Sequence, residues 1–457
     1  MAKSTIAGAK ERIDKRNLFF HMIRHYVRRV FFQYYGKVEV VGRKNIPRKE
    51  PVIFAPNHQN ALMDALIVLF SCGQDVIFLA RADIFRKKMM AKILNSMKML
   101  PVFRIRDGAG ELGKNHDIFD ITVGVLHRKH YLCLMPEGNH GHHRRLRPLV
   151  KGMFRIAFKA QELKGNQPYI KIMPTGLDFQ DYVKQNQDLL INYGKPIEVS
   201  EYWDQYVENP AKAINTLRDR LTEDMKPLMI HIETEAYYDA YMGLRTIFNA
   251  KMRELLDIKG VKLKDKFDAD KEMIARLDAQ LEKDEEAVKR ISEKVTKYLH
   301  GIEKLKIRDW VVRDKGYGFG KALWRYFTLL ITFPVFLFGF INNIGSYFLP
   351  VRMIRKIKDR QFHSSVKTGI GMLISFPIFY LLQTLLVGIL TGPWWIWVAY
   401  LVSLYPAGKV ALYWYFRWKK TVRGSHFRNL VNKGDKHAVS LVNLRKEIIE
   451  DTAKVMG

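Results

Sequence analysis

Cysteine is almost absent from this 457-residue chain, which contains only Cys72 and Cys133. Both lie in apolar runs, so a disulfide framework is excluded and a reducing, cytosolic setting is expected. The first fifteen residues are polar and lack the uninterrupted apolar stretch of a secretory signal. Zinc-finger, RNP-type and basic-zipper patterns are also missing, which argues against a nucleic-acid-binding protein.

Acidic residues are scarce relative to basic ones: 46 Asp and Glu face 76 Lys and Arg, which gives a net charge of +30. Such an excess predicts an anionic partner. The last third of the chain contains apolar stretches that approach the roughly 20 residues needed to cross a bilayer. We therefore expect the partner to be anionic membrane lipid, with no role for nucleic acid.

Residues 1–36 are predicted to form an N-terminal interfacial amphipathic helix. Between residues 17 and 35, aromatic and apolar side chains recur at helical spacing, with arginines on the opposite side. The apolar face would comprise Phe19, Ile23, Tyr26, Val27, Val30 and Tyr34, and the polar side Arg24, Arg28 and Arg29. This pattern is typical of a helix in the headgroup layer. The alternative is an ordinary helix that packs on a protein core.

Residues 37–200 alternate short β-like runs with segments of helical periodicity. This alternation predicts an α/β domain with a mixed, partly parallel sheet flanked by helices. Functional residues of such sheets lie where strands end and helices begin.

Residues 201–310 are predicted to be a helical region that includes a heptad-like helix over 267–306, with its apolar pattern interrupted at Asp284. An intramolecular helical hairpin is the favoured interpretation. A coiled coil in a homodimer is the alternative.

Residues 311–425 form the predicted membrane region, followed by a basic C-terminal tail at 426–457. Transmembrane helices are expected at about 366–390 and 394–416, and a re-entrant hairpin at about 322–349, broken near Asn342 and Asn343. Basic clusters flank these segments, and the positive-inside rule favours keeping all of them cytoplasmic. Three simple crossings remain the alternative. We therefore expect a multi-pass membrane protein whose α/β domain at residues 37–200 lies on the cytoplasmic face.

The stretch FAPNHQNALMDAL carries His58 and Asp64 directly after a β-like run. An imidazole works best as a base when a carboxylate holds its other nitrogen. Six residues on a regular helix would leave the two side chains apart, because they advance about 600° around the axis. The pair can meet only if His58 lies on a loop that folds back before the helix begins.

Further strand-like runs end near other polar groups. Arg104 and Arg106 could hold a phosphate with their guanidinium groups. Glu137 and Gly138 follow the next run and precede a basic group that includes Arg145, and a last run ends at Pro174. His140, His142 and His143 lie among arginines whose charge opposes a cation, so no metal site is predicted.

The ordered motifs NHQNALMD, PVFR, PEG and IMPTG resemble the four blocks of the glycerophosphate acyltransferase superfamily, across residues 37–200. Here five residues separate His58 from Asp64, where the family usually has four. This spacing is similar to that of fungal-type glycerol-3-phosphate and dihydroxyacetone-phosphate acyltransferases.

The resemblance implies that His58 is the general base and that Asp64 orients it. It assigns the acceptor phosphate to Arg104, helped by Arg106 or Arg145, places Glu137 and Gly138 in the acceptor-binding block, and puts Pro174 nearer the acyl donor. The donor would be an acyl-CoA or acyl carrier protein thioester, with no cofactor, and the acceptor a glycerol phosphate. Acylation of lysophosphatidate or another lyso-lipid is the alternative reaction. A non-catalytic lipid-binding or scaffold protein is the alternative of another class.

Overall fold

A computed structural model describes residues 18–85, 88, 91, 94, 95, 97–102 and 114–456. The chain divides into two compact units. The first contains the described residues up to His231 together with the short segment Asp359–Ser365, and the second contains Ile232–Lys358 and the residues from Val366 onward.

The first unit contains a sheet whose strands are separated by helices, as the alternating sequence pattern predicts. Its strands are β1 (Val38–Val41), β2 (Val52–Pro56), β3 (Val76–Arg81), β4 (Met99–Val102), β5 (Tyr131–Cys133), β6 (Lys171–Phe179), β7 (Leu189–Tyr193) and β8 (Ile197–Glu198). Its helices are α1 (Leu18–Phe32), α2 (Leu62–Ser71), α3 (Lys114–His127), α4 (Gly152–Gln161), α5 (Trp203–Glu208) and α6 (Pro210–Met225).

The sheet has the order β1-β7-β6-β2-β5-β3-β4, with β8 paired to β6. Strand β2 is parallel to both of its neighbours, β5 and β6, while β6 is antiparallel to β7 and β8. The α/β class and the partly parallel sheet are therefore confirmed. Because β2 and β5 are parallel, the loops that follow Pro56 and Cys133 leave the same edge of the sheet.

The first unit extends further than the boundary at residue 200 that we predicted. Helix α6 lies beyond it, yet Leu217, Leu221 and Met225 are buried in the same core as strand residues Ile53 and Ile172. The i, i+4 spacing of these three α6 residues places them on one helical face, which is why α6 packs into this core.

Helix α1 packs within the first unit, as the alternative interpretation allowed. Phe31 is fully buried and its ring lies 5.2 Å from that of Phe70 on α2. Arg24, which we expected on the polar side, forms an ion pair with Asp75 and donates a hydrogen bond to Gln74 O at 2.7 Å. Tyr26 remains 45% exposed. Binding of this helix to a lipid surface stays a prediction.

The second unit is helical throughout its described elements. These are α7 (Tyr238–Ile247), α8 (Asn249–Leu255), α9 (Leu263–Lys283), α10 (Glu285–Lys304), α11 (Asp309–Arg313), α12 (Phe319–Ile331), α13 (Phe333–Ile354), α14 (Phe362–Ile370), the π-helical turn Gly371–Ser375, α15 (Phe376–Thr391), α16 (Trp394–Asn432) and α17 (Lys436–Met456). The first residues of α14, up to Ser365, belong to the first unit.

The heptad-like segment 267–306 consists of two helices rather than one. Asp284 ends α9 and caps α10, because its side chain accepts a hydrogen bond from Ala287 N. Val295 and Tyr298 are fully buried within the unit. The apolar seam is thus used inside the chain, in line with the intramolecular interpretation.

The prediction of a basic C-terminal tail at 426–457 is wrong, because the described part of this segment is almost entirely helical. Helix α16 continues to Asn432, and α17 buries one face through residues that recur at three- and four-residue spacing. These residues are Ala438, Leu441, Leu444, Ile448, Thr452 and Met456. Lys436, Lys446 and Lys454 of α17 are exposed, whereas Arg445 is largely buried in an ion pair with Asp309. The charge of the segment masked its amphipathic periodicity.

Three helical stretches are long and apolar enough to cross a membrane: Phe333–Ile354, Phe362–Thr391 and Trp394–Asn432. The last two contain the spans predicted at 366–390 and 394–416. The break that we predicted near Asn342 and Asn343 is wrong, because α13 runs through both residues and the interruption lies at Thr332.

The asparagines stay helical because their side chains find partners within the helix bundle. Asn342 Nδ2 donates to Phe338 O at 2.8 Å, and Asn343 Nδ2 donates to Gly339 O at 2.9 Å and Leu404 O at 3.2 Å. Satisfying the polar groups in this way removes the need for a turn in an apolar environment.

Candidate active site

The loop between β2 and α2 brings His58 and Asp64 into direct contact. His58 Nδ1 lies 2.9 Å from Asp64 Oδ2. Because a carboxylate can only accept, Nδ1 carries the proton and Nε2 is left as the basic nitrogen. No described residue forms a hydrogen bond with Nε2, and the His58 side chain is 14% exposed while that of Asp64 is fully buried.

Asp64 also determines the shape of the loop that carries His58. Its Oδ2 accepts hydrogen bonds from Gln59 N at 2.9 Å and from Asn60 N at 2.8 Å. The carboxylate lies in the first turn of α2, where the helix dipole favours a negative charge. The loop folds back around this oxygen, which is how residues six positions apart meet.

The return of the loop requires an unusual backbone at Ala61. This residue has φ 46° and ψ −125°, a conformation that favours glycine. Ala61 is buried and immediately precedes α2. A strained residue next to the His58–Asp64 pair indicates that the surrounding contacts hold the loop in one conformation.

A second loop, after β5, holds the backbone of His58 from both sides. Glu137 Oε1 accepts from His58 N at 2.7 Å, and Gly141 N donates to His58 O at 3.0 Å. The other oxygen of Glu137 accepts from Arg147 Nε at 3.0 Å. Burial raises the pKa of Glu137, against the opposing effect of the His58 amide and Arg147. Glu137 thus positions His58 through its backbone.

Further polar contacts surround the loop. Gln59 Nε2 donates to His143 O at 3.1 Å and Gln59 Oε1 accepts from the Tyr182 hydroxyl, while Asn60 Nδ2 donates to Tyr182 O at 3.2 Å. Arg144 is buried, forms an ion pair with Asp178, and lies over the Tyr182 ring at 5.0 Å. Together these contacts restrict the movement of the loop next to His58.

The remaining residues that we predicted for the site have different placements. Arg104 and Arg106 lie outside the described residues. Gly138 has φ 72° and forms the turn after Glu137, and a Cβ there would lie 3.3 Å from Val150. Arg145 lies on the same loop and is half-buried.

Pro174 is corrected by the structure: it does not end a strand. Strand β6 continues to Phe179, and Pro174 is opposite Ala55 in the parallel pairing with β2. Its carbonyl accepts from Gly194 N at 2.9 Å. Strand β6 can continue because β7 pairs with it antiparallel from Thr175 onward, beyond the proline.

Several residues near His58 had no local sequence signal. Gln59 lies between His58 and Asp64 in the NHQNALMD motif, where its position indicates no role, and Arg144 is one of several arginines in its segment. Asp359 is more distant still: its Oδ2 lies 2.7 Å from His140 Nε2, with 219 positions between the two residues. Among the described residues, no group of three or more His, Cys, Asp or Glu side chains is arranged to hold a metal ion.

An oriented imidazole beside a buried carboxylate can remove a proton from a hydroxyl. The comparison with protein families agrees with this chemistry, because residues 37–178 match the model of the family described as acyltransferase. Residues 37–178 form an acyltransferase domain. The matched residues include the His58–Asp64 pair and Glu137.

Among solved structures, the chain is similar to the 1-acyl-sn-glycerophosphate (LPA) acyltransferase PlsC from Thermotoga maritima. The identity is 17%, the TM-score is 0.32, and the match covers 45% of this chain and 78% of that one. No curated protein matches the chain.

Proposed function

We propose that the protein is a membrane-bound O-acyltransferase that moves a fatty acyl group from an acyl thioester to a hydroxyl of glycerol 3-phosphate or dihydroxyacetone phosphate. The observation that carries this proposal is the 2.9 Å contact between His58 Nδ1 and the buried Asp64 inside the acyltransferase domain. The three apolar helices support a membrane location, where the acyl product would remain.

In the proposed reaction, His58 Nε2 takes the proton from the acceptor hydroxyl as its oxygen attacks the thioester carbonyl. Asp64 stabilises the imidazolium that forms. The tetrahedral intermediate then collapses, the carbon–sulfur bond breaks, and the imidazolium returns its proton to the leaving thiolate. The products are an ester and a free thiol, and His58 is again neutral. The thioester is already activated, so this route needs no cofactor.

Recognition of the acceptor phosphate is assigned to Arg104, with Arg106 or Arg145 in support, on the basis of the family motifs. A planar guanidinium fork suits bidentate binding of a phosphate. Glu137, which we first placed in the acceptor-binding block, is better suited to hold His58, because its side chain is fully buried and both oxygens are occupied.

The test is an acyl-transfer assay on the purified full-length protein in lipid nanodiscs, with radiolabelled acyl-CoA or acyl carrier protein thioester as donor. Glycerol 3-phosphate, dihydroxyacetone phosphate and lysophosphatidate are compared as acceptors, with the His58→Ala variant as the control. We expect labelled lipid from a three-carbon phosphate acceptor and none from the variant. Faster turnover of lysophosphatidate would overturn the acceptor assignment, and no product from any acceptor would favour a scaffold protein.

The phosphate assignment has its own test. Arg104→Ala should chiefly raise the KM for the acceptor while leaving the KM for the thioester unchanged. An unchanged acceptor KM would remove Arg104 from the phosphate site.

A further inference from the structure

The segment Asp359–Ser365, here called the connector, belongs to the compact unit that contains the acyltransferase domain. In the sequence it lies after the apolar helix Phe333–Ile354, and it overlaps the start of the apolar stretch Phe362–Thr391. A short link between two apolar helices needs no contact with a catalytic centre. Its contacts with the His58 region therefore require an explanation.

The connector holds His140 against the catalytic base. The rings of His58 and His140 are 5.6 Å apart and nearly perpendicular. On its other sides, His140 contacts the Phe362 ring at 5.3 Å and binds Asp359 Oδ2 through Nε2 at 2.7 Å. His140 is thus held between the base and two connector side chains.

The connector also contacts two segments near His58, the loop after β5 and the segment after β6 that contains Tyr182. Gln361 is 4% exposed, and its side-chain amide donates to Gly141 O, while Gly141 N donates to His58 O. Ser364 Oγ donates to Tyr182 O, the same carbonyl that accepts from Asn60. Side chains of the connector therefore meet the backbone of two segments that contact the catalytic loop.

Asp359 is suited to this role because it stays ionised in the folded protein. Burial opposes its charge, but hydrogen bonds from His140 and the Gln361 amide, together with the nearby His140 and His142, lower the pKa of Asp359. An ionised carboxylate is the stronger hydrogen-bond acceptor for the His140 ring.

We propose that the connector is part of the catalytic apparatus, and that Asp359 and Phe362 are positioning residues that hold His140 against the His58 imidazole. Acyl transfer would then depend on a segment outside the matched acyltransferase domain. This inference rests on the proposed function for its kinetic consequence, but its geometric part can be tested separately.

The kinetic test compares Asp359→Ala, Asp359→Asn and Phe362→Leu with the wild-type protein in nanodiscs. A full ångström of misplacement can cost about 10²-fold, and we expect a smaller loss, about tenfold in kcat, for Asp359→Ala. KM values should stay within about twofold, since no substrate contact is removed. Asp359→Asn keeps an oxygen that can accept from His140 and should retain most of the activity. Arg360→Gln, at an exposed neighbour, is the matched control.

A second readout does not depend on activity. Carbethoxylation of individual histidines, followed by peptide mass spectrometry, measures how accessible each ring is. In Asp359→Ala and Phe362→Leu, His58 and His140 should be modified at least about threefold faster, while His300 should not change. Thermal unfolding would show that the variants remain folded.

Faster modification together with a lower kcat supports the proposal. Unchanged modification of His58 and His140 overturns it, even if kcat falls, because Asp359 would then act elsewhere. If the wild-type enzyme turns over and the variants have the same kcat, the proposal is also overturned. If the wild-type protein transfers no acyl group, the proposed function fails, and the modification rates still decide whether the connector positions these rings.

Discussion

Replacing Asp64 by Asn separates the charge of the carboxylate from its hydrogen bonds. A single oxygen, Oδ2, accepts from His58 Nδ1, Gln59 N and Asn60 N. The carbonyl oxygen of Asn can occupy the same position and accept from the same donors. The substitution therefore removes the negative charge and leaves the loop with its hydrogen bonds.

The expected loss follows from the distance between the two charges during catalysis. A carboxylate and an imidazolium about 4 Å apart interact by about 4 kcal/mol at an effective dielectric of 20. This corresponds to about 10³-fold in rate. His58 is partly exposed to solvent, which weakens the interaction, so we expect kcat of Asp64→Asn to fall by about 10²- to 10³-fold.

The assay measures kcat, both KM values and the melting temperature of Asp64→Asn beside Asp64→Ala. The Ala variant also leaves the buried amides of Gln59 and Asn60 unpaired, at about 1–3 kcal/mol each. Only Asp64→Ala should therefore show a large fall in melting temperature, while both lose activity. A kcat for Asp64→Asn within threefold of wild type would refute the electrostatic role. Equal loss of stability in the two variants would refute the separation of charge from hydrogen bonding.

Three other substitutions test the surrounding structure. Ala61→Gly should keep or raise the melting temperature, because relief of about 1–3 kcal/mol of strain outweighs about 0.4–1 kcal/mol of unfolded-state entropy; a clear fall would contradict the strain. Arg147→Met should raise the pKa of Glu137 further. A carboxyl with a raised pKa in the folded state loses stability as pH rises from its unfolded pKa to its folded pKa. The stability gap between the variant and wild type should therefore widen as pH rises above the raised pKa of wild-type Glu137, and a pH-independent gap would contradict it. Asn343→Leu should destabilise the apolar helix bundle by about 1 kcal/mol, measured by thermal unfolding in detergent. The control Ile341→Leu, at an exposed position, should have no such effect. Equal effects of the two substitutions would argue against a contribution from the buried hydrogen bonds of Asn343.

The fold could be predicted as far as local patterns reach. Strand–helix alternation in residues 37–200 sufficed for the α/β class, and the need for a folded-back loop at His58 followed from helix geometry alone. The end of the first unit at His231 could not be predicted in this way, because the sequence does not show against which core the apolar face of α6 packs. At 426–457 the basic residues indicated a tail, although apolar residues at helical spacing in the same segment form a buried face.

The candidate site was less predictable than the fold. The His58–Asp64 pair and Glu137 lie in short motifs, so they could be found, but the role of Glu137 as a clamp on the His58 amide depends on parallel pairing of β2 and β5. Asp359 could not be found at all, since no local pattern links it to a histidine 219 positions away. Contacts of that kind exist only once the chain has folded.

The central claim is that the His58 imidazole, held by Asp64, removes the proton from the acceptor hydroxyl. Its most direct test is the initial rate of acyl transfer by folded His58→Ala at saturating substrates, with and without added imidazole. We expect at least about 10³-fold loss of rate, partly restored by imidazole when Asp64 is present but not in the Asp64→Ala background. A His58→Ala protein that turns over at a rate near that of the wild type would contradict the claim.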